Sequence, residues 1–127
     1  MLIRKKLLRN GIFIDKRLVL MFIEADTHIH TIASTHAYST VLEIATEAAQ
    51  KGLKAIAITD HTPGENGFSS DAPHIWHFHN LHKALPRELC GVRLLFGAEA
   101  SINGDGTLDF PMNECENLDW VIASVHG

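Results

Sequence analysis

Nine histidines against a single tyrosine stand out in this chain of 127 residues, and a neutral imidazole nitrogen is the commonest side-chain ligand for zinc-like metals. Two of the nine, His28 and His30, lie in the run DTHIH. Alternate residues of an extended segment point the same way, so an H-x-H pair can bring two ring nitrogens to one ion. The pair alone is a weak signal, and any one histidine taken singly is more often a surface or core residue. The signal strengthens when His61 in TDH, Glu99 in GAEAS and His126 in SVHG are added. Imidazoles with a carboxylate are the donor mixture that suits zinc, manganese or iron.

These residues must be positioned by regular elements. Phe22 to Asp26 (FIEAD) reads as a strand ending at about Asp26, followed by a His-rich loop. Thr40 to Glu43 forms a T-x-x-E capping box, Val41, Ile44, Ala45 and Ala48 follow at helical spacing, and Gly52 supplies the stop. Ala55 to Thr59 (AIAIT) is a continuous apolar run, as expected of a parallel strand covered on both faces. Strand, helix and strand make a βαβ unit.

Residues 62 to 73 are rich in Gly, Ser, Asp and Pro and read as a long loop, and His74 to Leu85 reads as a helix ending before Pro86. Val92 to Phe96, continued by Gly97, Ala98 and Glu99, is a third strand, with a turn at Asn103 to Gly106 that makes a small hairpin with Thr107 to Phe110. A short helical stretch near Asn113 to Asn117 precedes a fourth strand, Trp120 to Ser124. His28, His30, His61, Glu99 and His126 then all fall at carboxyl ends of strands. In a parallel β/α barrel those ends converge on one face, where catalytic groups collect. The expected fold class is α/β, a partial (β/α) barrel of roughly four strands.

Composition narrows the remaining classes. At 46% hydrophobic and 20% charged residues the chain fits one soluble globular domain. No apolar run approaches the roughly 20 uncharged residues of a bilayer span, so no membrane association is expected. The net charge of -4 hides a basic start: Arg4, Lys5, Lys6, Arg9, Lys16 and Arg17 crowd the first twenty residues. Residues 1–20 read as a basic extension upstream of Met21, and 21–127 as the domain. Basic charge without a reader motif gives no case for a nucleic-acid partner. Cys90 and Cys115 lack CxxC spacing and read as reduced thiols of a cytoplasmic protein.

The segments DTHIHT, ASTHAYS, AITDHTP, AEAS and ASVHG, in that order and spacing, resemble the successive motifs of the PHP (polymerase and histidinol phosphatase) family. ASTHAYST and DAPHIWHF resemble its YcdX-like phosphatase branch more closely than its other branches. The resemblance covers Phe22 to Gly127 and implies the N-terminal half of a distorted (β/α)7 barrel. It further implies up to three divalent ions, zinc being the first expectation and manganese or iron compatible. His28 and His30 would hold one ion, His36 and His61 a second and His126 a third, with Glu99 bridging the first and third. The implied reaction is hydrolysis of a small phosphorylated substrate by a metal-activated water, with no separate protein acid. The family completes its ligand set with a further histidine and an Asp-x-His motif from later strands. Their counterparts are missing from this sequence, so each ion is expected to lack one protein ligand, and the activity of this chain by itself is expected to suffer.

Three functional readings stay open: a phosphatase of this family, a metal-binding half-barrel without turnover, and an amidohydrolase-like metal hydrolase. The last shares the H-x-H opening but finds no support in the TDH and SVHG segments. A half-barrel would also leave an open sheet edge, inviting self-association or a complementing C-terminal half. Asp26 and Asp60 are candidates to orient ligating histidines from behind, although an Asp closing a strand is equally a turn former. His74, Trp76 and His77 are candidates for a substrate pocket, whereas His79 and His82 read as the outward polar face of an amphipathic helix. Lys83, Arg87 and Arg93 read as solvated surface charges.

Overall fold

The computed structural model describes residues 22–64 and 72–126. The basic extension expected at 1–20 and part of the long loop expected at 62–73 lie outside the described residues. Within them the chain forms β1 (Ala25–Ile29), α1 (Val41–Gln50), β2 (Ala55–Ile58), α2 (Trp76–Ala84), β3 (Glu88–Leu89), β4 (Val92–Ser101), α3 (Met112–Cys115) and β5 (Trp120–Ser124).

The sheet is a curled half-barrel in which β1, β2, β4 and β5 run parallel in that order. Strand β4 is long enough to serve two partners in succession. Its first half, Arg93 to Phe96, pairs with β2, and its second half, Gly97 to Ser101, pairs with β5 on the opposite edge. The partial barrel expected from the sequence is therefore the fold. The two-residue β3 was not expected: it forms an antiparallel hairpin with the start of β4 across Cys90 and Gly91, both at positive φ (55° and 79°). That backbone is the type I′ turn that short hairpins favour, and Cys90 gave no hint of it because non-glycine residues rarely adopt it.

Helix α1 begins as its capping box requires. The Thr40 hydroxyl accepts from the Glu43 N–H while the Glu43 carboxylate accepts from the Thr40 N–H, so two orphan donors of the first turn are satisfied reciprocally. The helix buries Ala45 and Ala48, whose small side chains let it lie close on the sheet. Helix α2 starts at Trp76, two residues later than expected, without a side-chain cap, and buries Phe78 and Leu81. The core between helices and sheet contains Ile56, Ile58, Leu94 and Phe96, all fully buried, with the ring of Phe110 edge-on to Phe78. Burying each such large apolar side chain contributes ~1.5–3 kcal/mol.

Strand β1 departs from the expected boundary: it runs through THI to Ile29 instead of ending at Asp26. The reason is a bulge. Asp26 is in register with Ile56 and Ile29 with Ile58, so three residues of β1 span two of β2. The extra residue changes the parity of the strand. Ile29 joins the helix-covered face beside Ile58, and His28 and His30 turn to the other face of the sheet. Polar character made the segment read as a loop, yet its alternation serves two faces at once.

Gly97 marks another close approach. A Cβ there would sit 2.4 Å from the Trp120 carbonyl oxygen and 3.1 Å from the Thr59 methyl carbon. Only glycine lets β5 come up beside β4 and β2 at the level where the sheet delivers its polar ends.

Candidate metal centre

Register decides which side chains meet. Leu95 of β4 pairs with Ala57 of β2, and an isolated parallel bridge joins His61 to Glu99, so Glu99 lies on the face opposite to Phe96 and Ala98. On β5, Ile122 pairs with Glu99 and Ser124 with Ser101, and continuing that alternation puts His126 on the same face. The β1 bulge adds His28 and His30. Four strands thus direct five potential ligands to one place through period-two alternation and a single bulge.

His36 arrives from a loop. The Thr31 hydroxyl accepts from the Ala33 N–H, and the N–H groups of Ser34 and Ala37 donate to the carbonyls of Thr31 and Ser34. These tight turns fold residues 31–37 back over the end of β2, leaving His36 Nε2 at 3.1 Å from His61 Nε2.

At the centre is Glu99, only 3% exposed. Its Oε2 is 3.2 Å from His28 Nε2, 3.1 Å from His30 Nε2 and 3.3 Å from His61 Nδ1. Its Oε1 faces His126 Nε2 at 3.5 Å. The two nitrogens of His28 and His30 are themselves 3.2 Å apart, which closes a nearly equilateral triangle with Glu99 Oε2. Hydrogen bonds do not account for a closed triangle, because each neutral ring nitrogen has at most one proton and aims it along one edge. If both nitrogens donate to the carboxylate, two N–H groups face each other; if one donates to the other, a bare lone pair faces the carboxylate.

Ligand atoms at ~2.0–2.1 Å from a tetrahedral zinc lie ~3.3 Å from one another, so the triangle has the dimensions of one face of such a tetrahedron. The His36–His61 separation matches one of its edges. His30 Nδ1, the ring nitrogen that points away from the triangle's Nε2, is buried without a hydrogen-bond partner among the described residues, a condition that ordinarily costs about 1–3 kcal/mol. Among the described residues three groups have ligand atoms mutually within 4.8 Å: His28, His30 and Glu99; His30, His36 and His61; and His61, Glu99 and His126. The donor set therefore fits divalent metal.

Electrostatics favours the forms that ligate. Burial pushes the His30 imidazole below its ordinary value, with His28 and His36 adding to the effect and Glu99 and Asp60 opposing it. Burial and the neighbouring His30 do the same for His61. Burial alone would raise the Glu99 carboxyl, but hydrogen bonds from His28 and Ser124 and the charges of His28 and His61 outweigh it and hold Glu99 below the usual carboxylate range. Neutral rings and an ionised carboxylate are what a divalent ion requires.

The remaining candidates fall in different places. Asp26 accepts the backbone N–H of His28 at 3.2 Å and has no described bond to its ring. Asp60 is fully buried and accepts from the Thr31 N–H and hydroxyl and the Ser34 hydroxyl, while His77 Nε2 lies 3.2 Å from it. Burial would raise the Asp60 carboxyl, and these hydrogen bonds together hold it low. The ring of His74 accepts the Trp76 N–H within its own turn, and Trp76 packs against His79, away from the cluster.

His82 is exposed on the outward face of α2 as expected and His79 is half-buried, yet both find partners. His79 pairs with Glu114 at 2.6 Å, and His82 reaches the Asn117 carbonyl and sets its ring against Phe96, tying α2 to the α3 region around a cavity of about 490 Å³. Arg87 is exposed, as expected of a surface charge, and from there also caps the Phe96 ring and pairs with Asp119. Two residues of the centre itself escaped sequence reasoning. Ser101 Oγ is 3.0 Å from His126 Nδ1, and Ser124 bonds Glu99. Both stand two residues from a candidate ligand in a strand, which is the signal that was available.

The half-barrel gathers its histidine and carboxylate cluster at the carboxyl ends of parallel strands, the face on which β/α barrels carry their functional groups. Residues 26–127 match the PHP domain family, and the chain belongs to it. It is 51% identical over 107 residues to a protein of Vibrio parahaemolyticus called a probable phosphatase, covering 84% of this chain and 41% of that protein. A probable phosphatase of Aeromonas hydrophila is 51% identical over 102 residues, covering 80% of this chain and 39% of the relative. One from Shewanella sediminis is 53% identical over 102 residues, with the same coverage. The chain thus spans about 40% of the length of these curated relatives. Among the described residues no helix is long and apolar enough to cross a membrane.

Proposed function

We propose that this chain is a metal-dependent phosphoesterase module, which holds divalent cations at the mouth of its half-barrel and hydrolyses a small phosphomonoester with a metal-activated water. The triangle of His28 Nε2, His30 Nε2 and Glu99 Oε2, with edges of 3.1–3.2 Å that hydrogen bonding cannot satisfy, is the observation that supports this reading most. The relatives named as probable phosphatases supply the reaction class.

His28 and His30 with Glu99 Oε2 are assigned to one ion, His36 and His61 to a second, and His126 with Glu99 Oε1 to a third. Zinc is the first candidate, since neutral imidazoles dominate the donor set. Bound cations would bring the pKa of water toward neutrality and neutralise phosphate oxygens. The chain contributes the geometry: Glu99 presents its two oxygens to different neighbours, and Ser101 presents a hydroxyl to His126 Nδ1. With only one carboxylate in the cluster, cations would leave it net positive and suited to a phosphate dianion. Two free cysteines support a reducing, cytoplasmic setting.

A second reading is favoured by one fact, that the chain spans 41% of its relative's length. On that reading the half-barrel binds metal without turnover unless a second copy or a complementing segment pairs with its open edge. Strand β5 is paired only to β4 among the described strands. The two readings separate in one assay. Purified chain loaded with zinc or manganese should hydrolyse a generic phosphomonoester in a chelator-sensitive way, and His28→Ala should abolish turnover. Metal-loaded but inert protein points to the second reading, and failure to bind metal removes both.

A further inference from the structure

Asp60 is fully buried, faces the opposite side of the sheet from Glu99, and is hydrogen-bonded by three residues from two segments of the chain, the 31–37 loop and α2. Thr31, next to His30, donates its N–H at 2.7 Å and its hydroxyl at 2.8 Å. Ser34, two residues before His36, donates its hydroxyl at 2.8 Å and with the same oxygen accepts the N–H of His61 at 3.1 Å. His77 approaches from α2 at 3.2 Å. One carboxylate therefore fixes the backbone beside His30, His36 and His61, the three residues of the all-histidine group. It has no such bond near His28 or His126.

We propose that Asp60 is a positioning residue for the ion assigned to His36 and His61, setting the separation of those two ring nitrogens through Ser34 and the turn at Thr31, with His77 supplying the last hydrogen bond from behind. A buried carboxylate that only stabilised the fold would need partners anywhere, whereas Ser34 links this one to His61 and to the loop that carries His36, the two ligands assigned to one ion. The short loop at 31–37 has little apolar surface to hold it, since Ile32 is 64% exposed. Its polar anchor is what keeps His36 over the end of β2. This inference rests on the reading that the cluster holds divalent cations.

Cobalt(II) titration of the full chain, followed by its visible ligand-field bands and by equilibrium dialysis, tests it. Asp60→Asn keeps the shape and removes the charge, and should weaken one class of bound cobalt by roughly ten- to a hundredfold, the usual effect of losing a partner that orients metal ligands. The band lost should be the one lost in His36→Ala, while the band lost in His28→Ala persists. Thr31→Val should reproduce the effect in part and Thr31→Ser should restore it, which covers the case of Asp60→Asn failing to fold. The proposal is overturned if Asp60→Asn and Thr31→Val bind cobalt as the parent does, or if they lose all classes together, as general loosening of the fold would produce. A parent chain that binds no cobalt overturns the metal reading itself, a result distinct from either.

Discussion

Ile56, Ile58, Leu94 and Phe96 are fully buried beneath α1 and α2, while alternate residues of the same strands and their extensions carry His61 and Glu99, joined by His126 beyond β5, into a cluster of polar side chains. The helix-covered face is apolar and close-packed along the strands, with Asp60 the buried carboxylate at its carboxyl end. The other face gathers imidazoles around a carboxylate at distances of 3.1–3.5 Å that leave polar groups unsatisfied. The contrast locates the fold's stability on one side and its chemistry on the other. Because side chains alternate, each strand contributes to both, and one bulge in β1 is enough to move a pair of histidines between them.

Substitutions on the two faces should therefore separate stability from metal affinity. The largest loss of stability is expected for Phe96→Ala, about 3–5 kcal/mol in urea unfolding, with metal binding lost only because the fold is lost. Glu99→Gln should have the converse profile: the metal-free protein melts far closer to the parent than Phe96→Ala does, and calorimetric zinc binding falls steeply. If Glu99→Gln instead unfolds the chain, the division between faces fails.

Gly97→Ala tests the place where the faces depend on each other. The added methyl meets the Trp120 carbonyl, a backbone atom that yields only if β5 shifts. Overpacking of this kind should cost about 1–3 kcal/mol and weaken metal binding as well, because His126 follows β5. Unfolding and zinc calorimetry on one sample measure both.

Acid should act on the polar face first. The folded values of His30 and His61 are depressed below 6.5, so the unfolded chain takes up those protons more readily and stability declines as pH falls below that value. Asp60 is depressed below 3.8, so its contribution is present above that value and is lost as pH falls through the lower folded value. Denaturant midpoints for metal-free protein between pH 8 and pH 3 should follow this order; stability that rises as pH falls from 7 to 5 would contradict it. The smallest effect belongs to neither face. Thr40→Ala, at the exposed cap of α1, should cost ~1 kcal/mol and leave zinc affinity unchanged.

Much of the helix-covered face was legible in sequence. The AIAI run of β2, the WVIAS run of β5 and the Thr40–Glu43 box of α1 carry their periodicity and capping openly. Strand β1 was misjudged at its end because a bulge breaks the alternation that reveals a strand, and β3 was missed because two residues carry no periodicity. At the centre, the spacing of His28 and His30 announced a pair on one face. What spacing could not reveal is that a single Glu99 oxygen faces three imidazoles, since that depends on register between strands distant in sequence. The partners of His79 and His82 could not be read from spacing for the same reason: Glu114 and Asn117 belong to another part of the chain.

The most direct test of the account is a crystal structure of the chain grown with zinc, with anomalous scattering recorded at the zinc edge. An anomalous peak is expected about 2.0–2.2 Å from each of His28 Nε2, His30 Nε2 and Glu99 Oε2. A folded chain with no peak inside that triangle, or with the three side chains turned away from one another, would contradict it.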